Sequence, residues 1–292
     1  MPQPLFESET MRLVQAKHGA FIVNRNDAIV GRSLEAYGEW CEGEIETILQ
    51  ILEPGDIAID VGANIGTHTV PMARKVGQDG GVLAIEPQRL VHQALCGNVA
   101  LNGLVNVVCV IAAAGAAQDR TRLPLFDPRE ELNWAGVCAR DYDEGEETEV
   151  ITLDSLAFER CKLIKIDTAG MEAEVLAGAK GLIARCQPVL FVTANNAEGE
   201  PETLGLLEAL DYAAWWHVTR YFHPANHNGE TADLFQGYRP DASLLGFPKS
   251  AQLQIDGFEP AIGTDDSWVK AMQRIVERAD ARKVNGAATA AE

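Results

Sequence analysis

Between Asp56 and about Val192, short apolar runs alternate with stretches whose apolar residues recur at helical spacing. "IAIDV", "VLAIE", "VNVVCVIAAA", "LIKID" and "PVLFV" read as strands buried on both faces. "GTHTVPMARKV", "QRLVHQALCGNVALNG" and the segment from Met171 to about Arg185 read as the helices between them. Such alternation predicts a doubly wound, mostly parallel sheet with helices on both faces.

The flanking patterns differ. In residues 11–52, "HGAFIVNRNDAIV" alternates around an Asn-Asp pair and predicts a hairpin. "EGEIETILQIL" then sets Ile45, Ile48, Leu49 and Leu52 on one helix face, and Pro54-Gly55 stops it. Residues 116–153 interrupt the rhythm with "TRLPLF", "NWAGVCA" and "TEVITL", predicting an inserted β-hairpin region. After Pro201 come a helix to Leu210, a strand "AAWWHV", a polar loop 219–242 and a strand "SLLGFP". The predicted organisation is a preface over 1–54, a cofactor-binding domain over 55–250, and a C-terminal helix with a flexible tail over 251–292.

Composition narrows the class. The 292 residues are 47% hydrophobic, enough for a substantial core, and carry a formal charge of −19 without a block of like charges. A negative surface repels phosphate backbones and anionic membranes, so neither nucleic acid nor membrane is expected as a partner. The expected partner is a small-molecule substrate, with a homodimer as the open option for assembly. Cys41, Cys96, Cys109, Cys138, Cys161 and Cys186 form no CxxC pair, which suits reduced thiols better than a disulfide framework or a zinc site, and no metal is expected. "MPQPLFESETMRL" lacks the basic and apolar regions of a signal peptide, so the expected location is cytoplasmic.

The most informative stretch is "AIDVGANIGTHT". A buried strand ends at Asp60, and Gly62 and Gly66 permit a tight turn and close backbone approach to a ligand. A nicotinamide fingerprint would read GxGxxG and cradle a pyrophosphate. Here the spacing is GxxxG and an acid precedes the first glycine. That acid is unfavourable beside a pyrophosphate and favourable beside a sulfonium or an ammonium. Glu86 ends the next strand 26 residues after Asp60, placed to accept hydrogen bonds from both ribose hydroxyls. Together these features point to S-adenosylmethionine (SAM).

Together with "YGEWCEGE", "AIEP", "NWAGV", "TLDSL", "IKIDTAGMEAEVLAGA" and "WWHVTRYFHPANHNG", this stretch resembles the FkbM family of SAM-dependent methyltransferases, over about residues 18–250. The resemblance implies a class I methyltransferase (Rossmann-like) α/β fold with a seven-stranded sheet. It also implies an activity mostly on hydroxyls of sugars and specialised metabolites. By the same match, Asp60, Gly62, Ala63, Asn64, Gly66 and Glu86 would bind the cofactor, with Ala112 and Ala113 near its adenine. Asn133, Trp134, His223 and Asn226 would be substrate contacts. Three departures stand out. The family's D-V-E-G-x-E is Asp167-Thr168-Ala169-Gly170-Met171-Glu172 here; its V-E-N is Thr193-Ala194-Asn195; and Asp241-Ala242-Ser243 replaces Ser-x-Asn. Cofactor motifs are intact while strand ends facing the substrate are changed, which raises an alternative: a SAM-binding enzyme of another reaction class, such as cyclisation, elimination or rearrangement. A non-catalytic SAM-binding subunit is the third reading.

Methyl transfer to an alcohol needs alignment and a base. Asp167 is the best-placed acid, its bland role being the cap of the next helix. Glu172 falls in that helix's first turn, where the dipole favours an acid without any catalytic role. His217 is the second candidate base, and its bland role is packing. Of Trp215 and Trp216, on opposite strand faces, one is expected in the core and the other at the pocket.

Overall fold

The computed structural model describes residues 6–140, 142–195, 200–253 and 255–289. The preface is a three-stranded antiparallel sheet, β1 (Phe6–Glu7), β2 (Met11–Ala16) and β3 (Gly19–Asn24), followed by α1 (Val30–Tyr37) and α2 (Glu42–Ile51). The hairpin turns at Lys17-His18, not at the Asn-Asp pair. Asp27 instead opens α1, its Oδ1 and Oδ2 accepting the amides of Ile29 and Gly31 at 3.0 Å each, so "AIV" is not a strand.

The body begins with β4 (Ile57–Val61), α3 (Thr69–Val76), β5 (Gly81–Ile85), α4 (Arg89–Leu101) and β6 (Val107–Val110). Next comes an inserted three-stranded sheet of β7 (Ala113–Ala114), β8 (Asp119–Leu123) and β9 (Glu146–Ile151). The predicted third strand "VNVVCVIAAA" is therefore divided, its end pairing with the insertion. "NWAGVCA" is not a strand: Trp134–Gly136 form a 3-10 turn capped by Asn133. The body resumes with β10 (Leu163–Ile166), α5 (Glu172–Ala177), α6 (Lys180–Cys186), β11 (Val189–Thr193), α7 (Glu200–Ala209), β12 (Tyr212–Thr219), β13 (Asp241–Pro248), β14 (Glu259–Pro260) and α8 (Trp268–Thr289). The single helix expected after Met171 is two, broken at Gly178-Ala179.

Among the described residues the main sheet has eight strands, one more than expected, in the order β14-β12-β13-β11-β10-β4-β5-β6. β6, β5, β4, β10 and β11 are parallel, and β13 runs antiparallel between β11 and β12. The extra strand is the two-residue β14 at the edge. Alternate residues feed opposite cores. Ile59, Ile85, Ile164 and Leu190 meet α5, α6 and α7, while Ala58, Leu163, Phe191 and Leu245 meet Ile48 of α2, Leu52 just beyond it and Met72 of α3. The order reverses between β4 and β10, so their loops open a crevice at the carboxyl ends of the strands. Among the described residues no helix is long and apolar enough to cross a membrane.

Candidate active site

The turn after β4 is shaped by backbone crowding. Gly62 has φ +75°, and a Cβ there would meet the carbonyl oxygen of Asp167 at 1.8 Å. Glycine alone lets the turns after β4 and β10 meet. Glu86, at the end of β5, is buried; its Oε2 accepts the amide of Asn64 at 3.0 Å and its Oε1 the amide of Gln88 at 2.8 Å. Burial raises its pKa from the usual 4.5 to about 7. One acceptor site on each oxygen remains for a ribose diol.

These residues line an open cleft. Gly62, Ala63, Asn64 and Glu86 form one wall, and Ala112 and Ala113 with Ala135 and Val137 of the insertion form the apolar side. Small residues here leave room for a flat ring. Lys165, Asp167, Thr168, His68 and Trp40 line it too.

Beneath the cleft lies a buried ionic network. Lys165 of β10 is 2% exposed, its Nζ 3.2 Å from Asp60 Oδ1 and 3.7 Å from Asp167 Oδ2. Burial opposes its charge, but Asp60, Asp167 and Glu44 outweigh it and raise its pKa. Thr69 donates to Asp60 Oδ2 at 2.6 Å. Glu44 of α2 accepts from Ser243 at 2.9 Å; burial, with Asp167 nearby, raises its pKa to about 7. Asp241 is raised by burial and by Glu44 and Asp167. His68 is held neutral, its pKa lowered to about 3 by burial and by Lys165.

Several expected site residues do not reach the cleft. Asp60 is fully buried under Lys165 and Thr69. Gly66 shapes the turn instead, its Cβ position falling 2.8 Å from Leu95. His217 is packed against Phe191 and Phe258 and bonded to Thr47 Oγ1 at 2.9 Å, with burial lowering its pKa to about 4. Trp134 is buried against Phe126, and Asn133 caps its turn; the cleft is reached by the next residues, Ala135 and Val137. His223 is 61% exposed beside Glu39, and Asn226 is buried, bracing its loop through Glu230 and the carbonyl of His223. Trp216 is core, donating to Asp266, while Trp215 packs on Phe247, so neither walls the pocket.

Asp167 does not cap α5; Glu172 accepts the amides of Thr168 and Gly170 instead. That loop holds Ala169 at φ +52°, outside the cleft lining. Lys165, Glu44, His68, Trp40 and Asp241 were missed. The signal for Lys165 was a lysine inside an otherwise apolar strand, which is costly unless paired. Trp40, stacked on Tyr221 at 4.9 Å, could be found only by folding the preface over the sheet.

The family model described as the methyltransferase FkbM domain matches residues 60–215, from the end of β4 into β12. No curated protein matches the chain in sequence. Among solved structures, FkbM methyltransferase from Methylobacillus flagellatus is 18% identical, with a TM-score of 0.45, covering 70% of this chain and 50% of that one. TYW2 from M. jannaschii in complex with AdoMet is 16% identical at 0.43, covering 84% and 89%. An rRNA methylase from Streptococcus thermophilus is 12% identical at 0.42, covering 70% and 93%. With an rRNA methylase among these matches, the expectation that nucleic acid is excluded as a partner is withdrawn. The physical reason is that −19 is a sum over the whole chain and leaves the local distribution of charge open. The buried acid at the end of β5, the glycine turn and the family match over more than half the chain agree. The chain belongs to the FkbM family of SAM-dependent methyltransferases.

Proposed function

We propose that the chain methylates a hydroxyl of a small acceptor, a sugar or specialised-metabolite intermediate, with Asp167 as the base. The supporting observation is the exposure of Asp167. Its side chain is 40% accessible on the cleft wall, whereas Asp60, Glu44 and Asp241 are buried. Gly62, Ala63, Asn64 and Glu86 fit the cofactor, because the turn admits no Cβ at Gly62 and Glu86 keeps free acceptor sites. When bound, SAM supplies an electrophilic methyl group. Asp167 accepts the proton of the attacking hydroxyl, and Lys165 holds the carboxylate in place. Trp40, braced by Tyr221, gives the acceptor an aromatic surface that excludes water. The alternative of another reaction class drew on the acids absent at Ala169 and Thr193/Ala194. None of Ala169, Thr193 and Ala194 lines the cleft, so the acids missing there do not argue for a different reaction in it.

The test is incubation with methyl-labelled SAM against separate metabolite and RNA fractions, reading product and spent cofactor by mass spectrometry. Adenosylhomocysteine with label on a small hydroxyl compound is expected. Label in RNA, or methylthioadenosine as the spent cofactor, overturns the reading. Asp167→Asn should lower turnover about 10²–10⁴-fold while SAM binding is retained; loss of binding as well would make Asp167 a cofactor anchor.

A further inference from the structure

Where α2 and β13 begin, three metal-ligating side chains converge, and His68, which lines the cleft at the start of α3, approaches them. Donor atoms of Cys41, Glu44 and Asp241 lie within 4.8 Å of one another, and all three residues are buried. His68, 4% exposed, approaches this group from the side of Glu44 without lying within 4.8 Å of all three donors: its Nε2 is 3.3 Å from Glu44 Oε2, too poorly aligned to bond, and has no other partner. A buried, unpartnered ring nitrogen facing a carboxylate needs an explanation.

The pattern of hydrogen bonds supplies one. On each carboxylate one oxygen is engaged from outside: Ser243 donates to Glu44 Oε1 at 2.9 Å, and Asn195 donates to Asp241 Oδ1. The other oxygens face inward, Glu44 Oε2 toward His68 and Asp241 Oδ2 toward Cys41 Sγ at 3.6 Å. Outer hydrogen bonds that orient inner ligand atoms are the usual support of a metal centre. The two separations match edges of a tetrahedron around zinc. Bonds of about 2.3 Å to sulfur and about 2.0 Å to nitrogen and oxygen require edges of about 3.5 and about 3.3 Å. Lys165, the nearest buried cation, is committed to Asp60 and Asp167.

We propose that Cys41, Glu44 and Asp241 bind a divalent metal of the zinc type and that the unpartnered His68 turns in from Glu44 to complete a tetrahedron, clamping α2 and α3 to the start of β13. One thiolate, two carboxylates and a neutral imidazole around a dication leave one net negative charge, next to Lys165. A sulfur ligand with nitrogen and oxygen favours zinc or cobalt over magnesium or calcium. The ligands come from three distant segments, which is why no CxxC spacing announces them.

The test is cobalt(II) titration of the reduced full chain after chelation. One equivalent should give a sulfur-to-cobalt charge-transfer band in the near ultraviolet, displaced by zinc. Cys41→Ser should abolish the band with the circular dichroism spectrum retained. Cys96→Ser should preserve it, which separates this site from the exposed Cys96 beside His92. Ser243→Ala should keep the band but weaken binding about 10–100-fold, because Ser243 only orients Glu44. Should Cys41→Ser fail to fold, the Cys96→Ser and Ser243→Ala results still decide. No stoichiometric cobalt binding by the parent, or a band that survives Cys41→Ser or vanishes in Cys96→Ser, overturns the site; Cys41 then only hydrogen-bonds Asp241.

Discussion

A methyl group on Gly62 would come within 1.8 Å of the Asp167 carbonyl oxygen, so the turns after β4 and β10 touch at their backbones. Cofactor turn and proposed base therefore move as one unit. Gly62→Ala must both separate these turns and hold alanine at φ +75°. Either demand alone is costly, and a loss of about 2–4 kcal/mol is expected. Denaturant unfolding and calorimetric SAM titration should show reduced stability together with lost binding. Unchanged affinity would mean the turn does not carry the cofactor.

Glu86 makes stability depend on pH. Its folded pKa of about 7 lies above its usual 4.5, so the folded state holds a proton that the unfolded state has released. Stability from this group is fully present below about pH 4.5 and is lost as pH rises to about 7. Glu86→Gln should thus gain relative to the parent between pH 5 and pH 8, by at most about 3 kcal/mol. Equal pH profiles for the two proteins would show that the carboxyl is not held protonated. The same variant should bind SAM at least about tenfold more weakly, through a lost charge-assisted hydrogen bond.

His217 is assigned to packing by its contacts with Phe191, Phe258 and Thr47. His217→Ala should cost about 2–3 kcal/mol by opening a cavity, while the Thr47 hydroxyl keeps its bond to the Gly43 carbonyl. Turnover per folded molecule and SAM affinity should stay within about twofold of the parent. Turnover reduced by about a hundredfold or more, the size expected for losing a base, would return His217 to the mechanism.

Lys165 faces the acids at two strand ends, buried Asp60 and accessible Asp167. Lys165→Met leaves Asp60 without its cation and should destabilise the protein by about 3–5 kcal/mol. Thermal unfolding measures this, and a variant as stable as the parent would mean that Asp60 is satisfied by Thr69 alone.

Much of this molecule could be read from order along the chain. The mainly apolar runs at 57–61, 81–85, 163–166 and 189–193 became parallel strands, since a strand covered on both faces is apolar except where a charge is paired, as Lys165 is with Asp60. The glycine turn and Glu86 were legible because both are local: a tight turn and the end of a strand are defined by adjacent residues. Convergence was decided only in three dimensions. Glu44, His68, Lys165 and Asp241 meet because β13 inserts antiparallel beside β11 and α2 folds over the sheet. No sequence spacing encodes that meeting. His217 and Asp167 both lie at strand ends in the sequence, yet only Asp167 opens onto the cleft, because Phe191, Phe258 and Thr47 close over His217. Which polar residue faces solvent, and which is sealed beneath it, depends on neighbours brought from elsewhere in the chain.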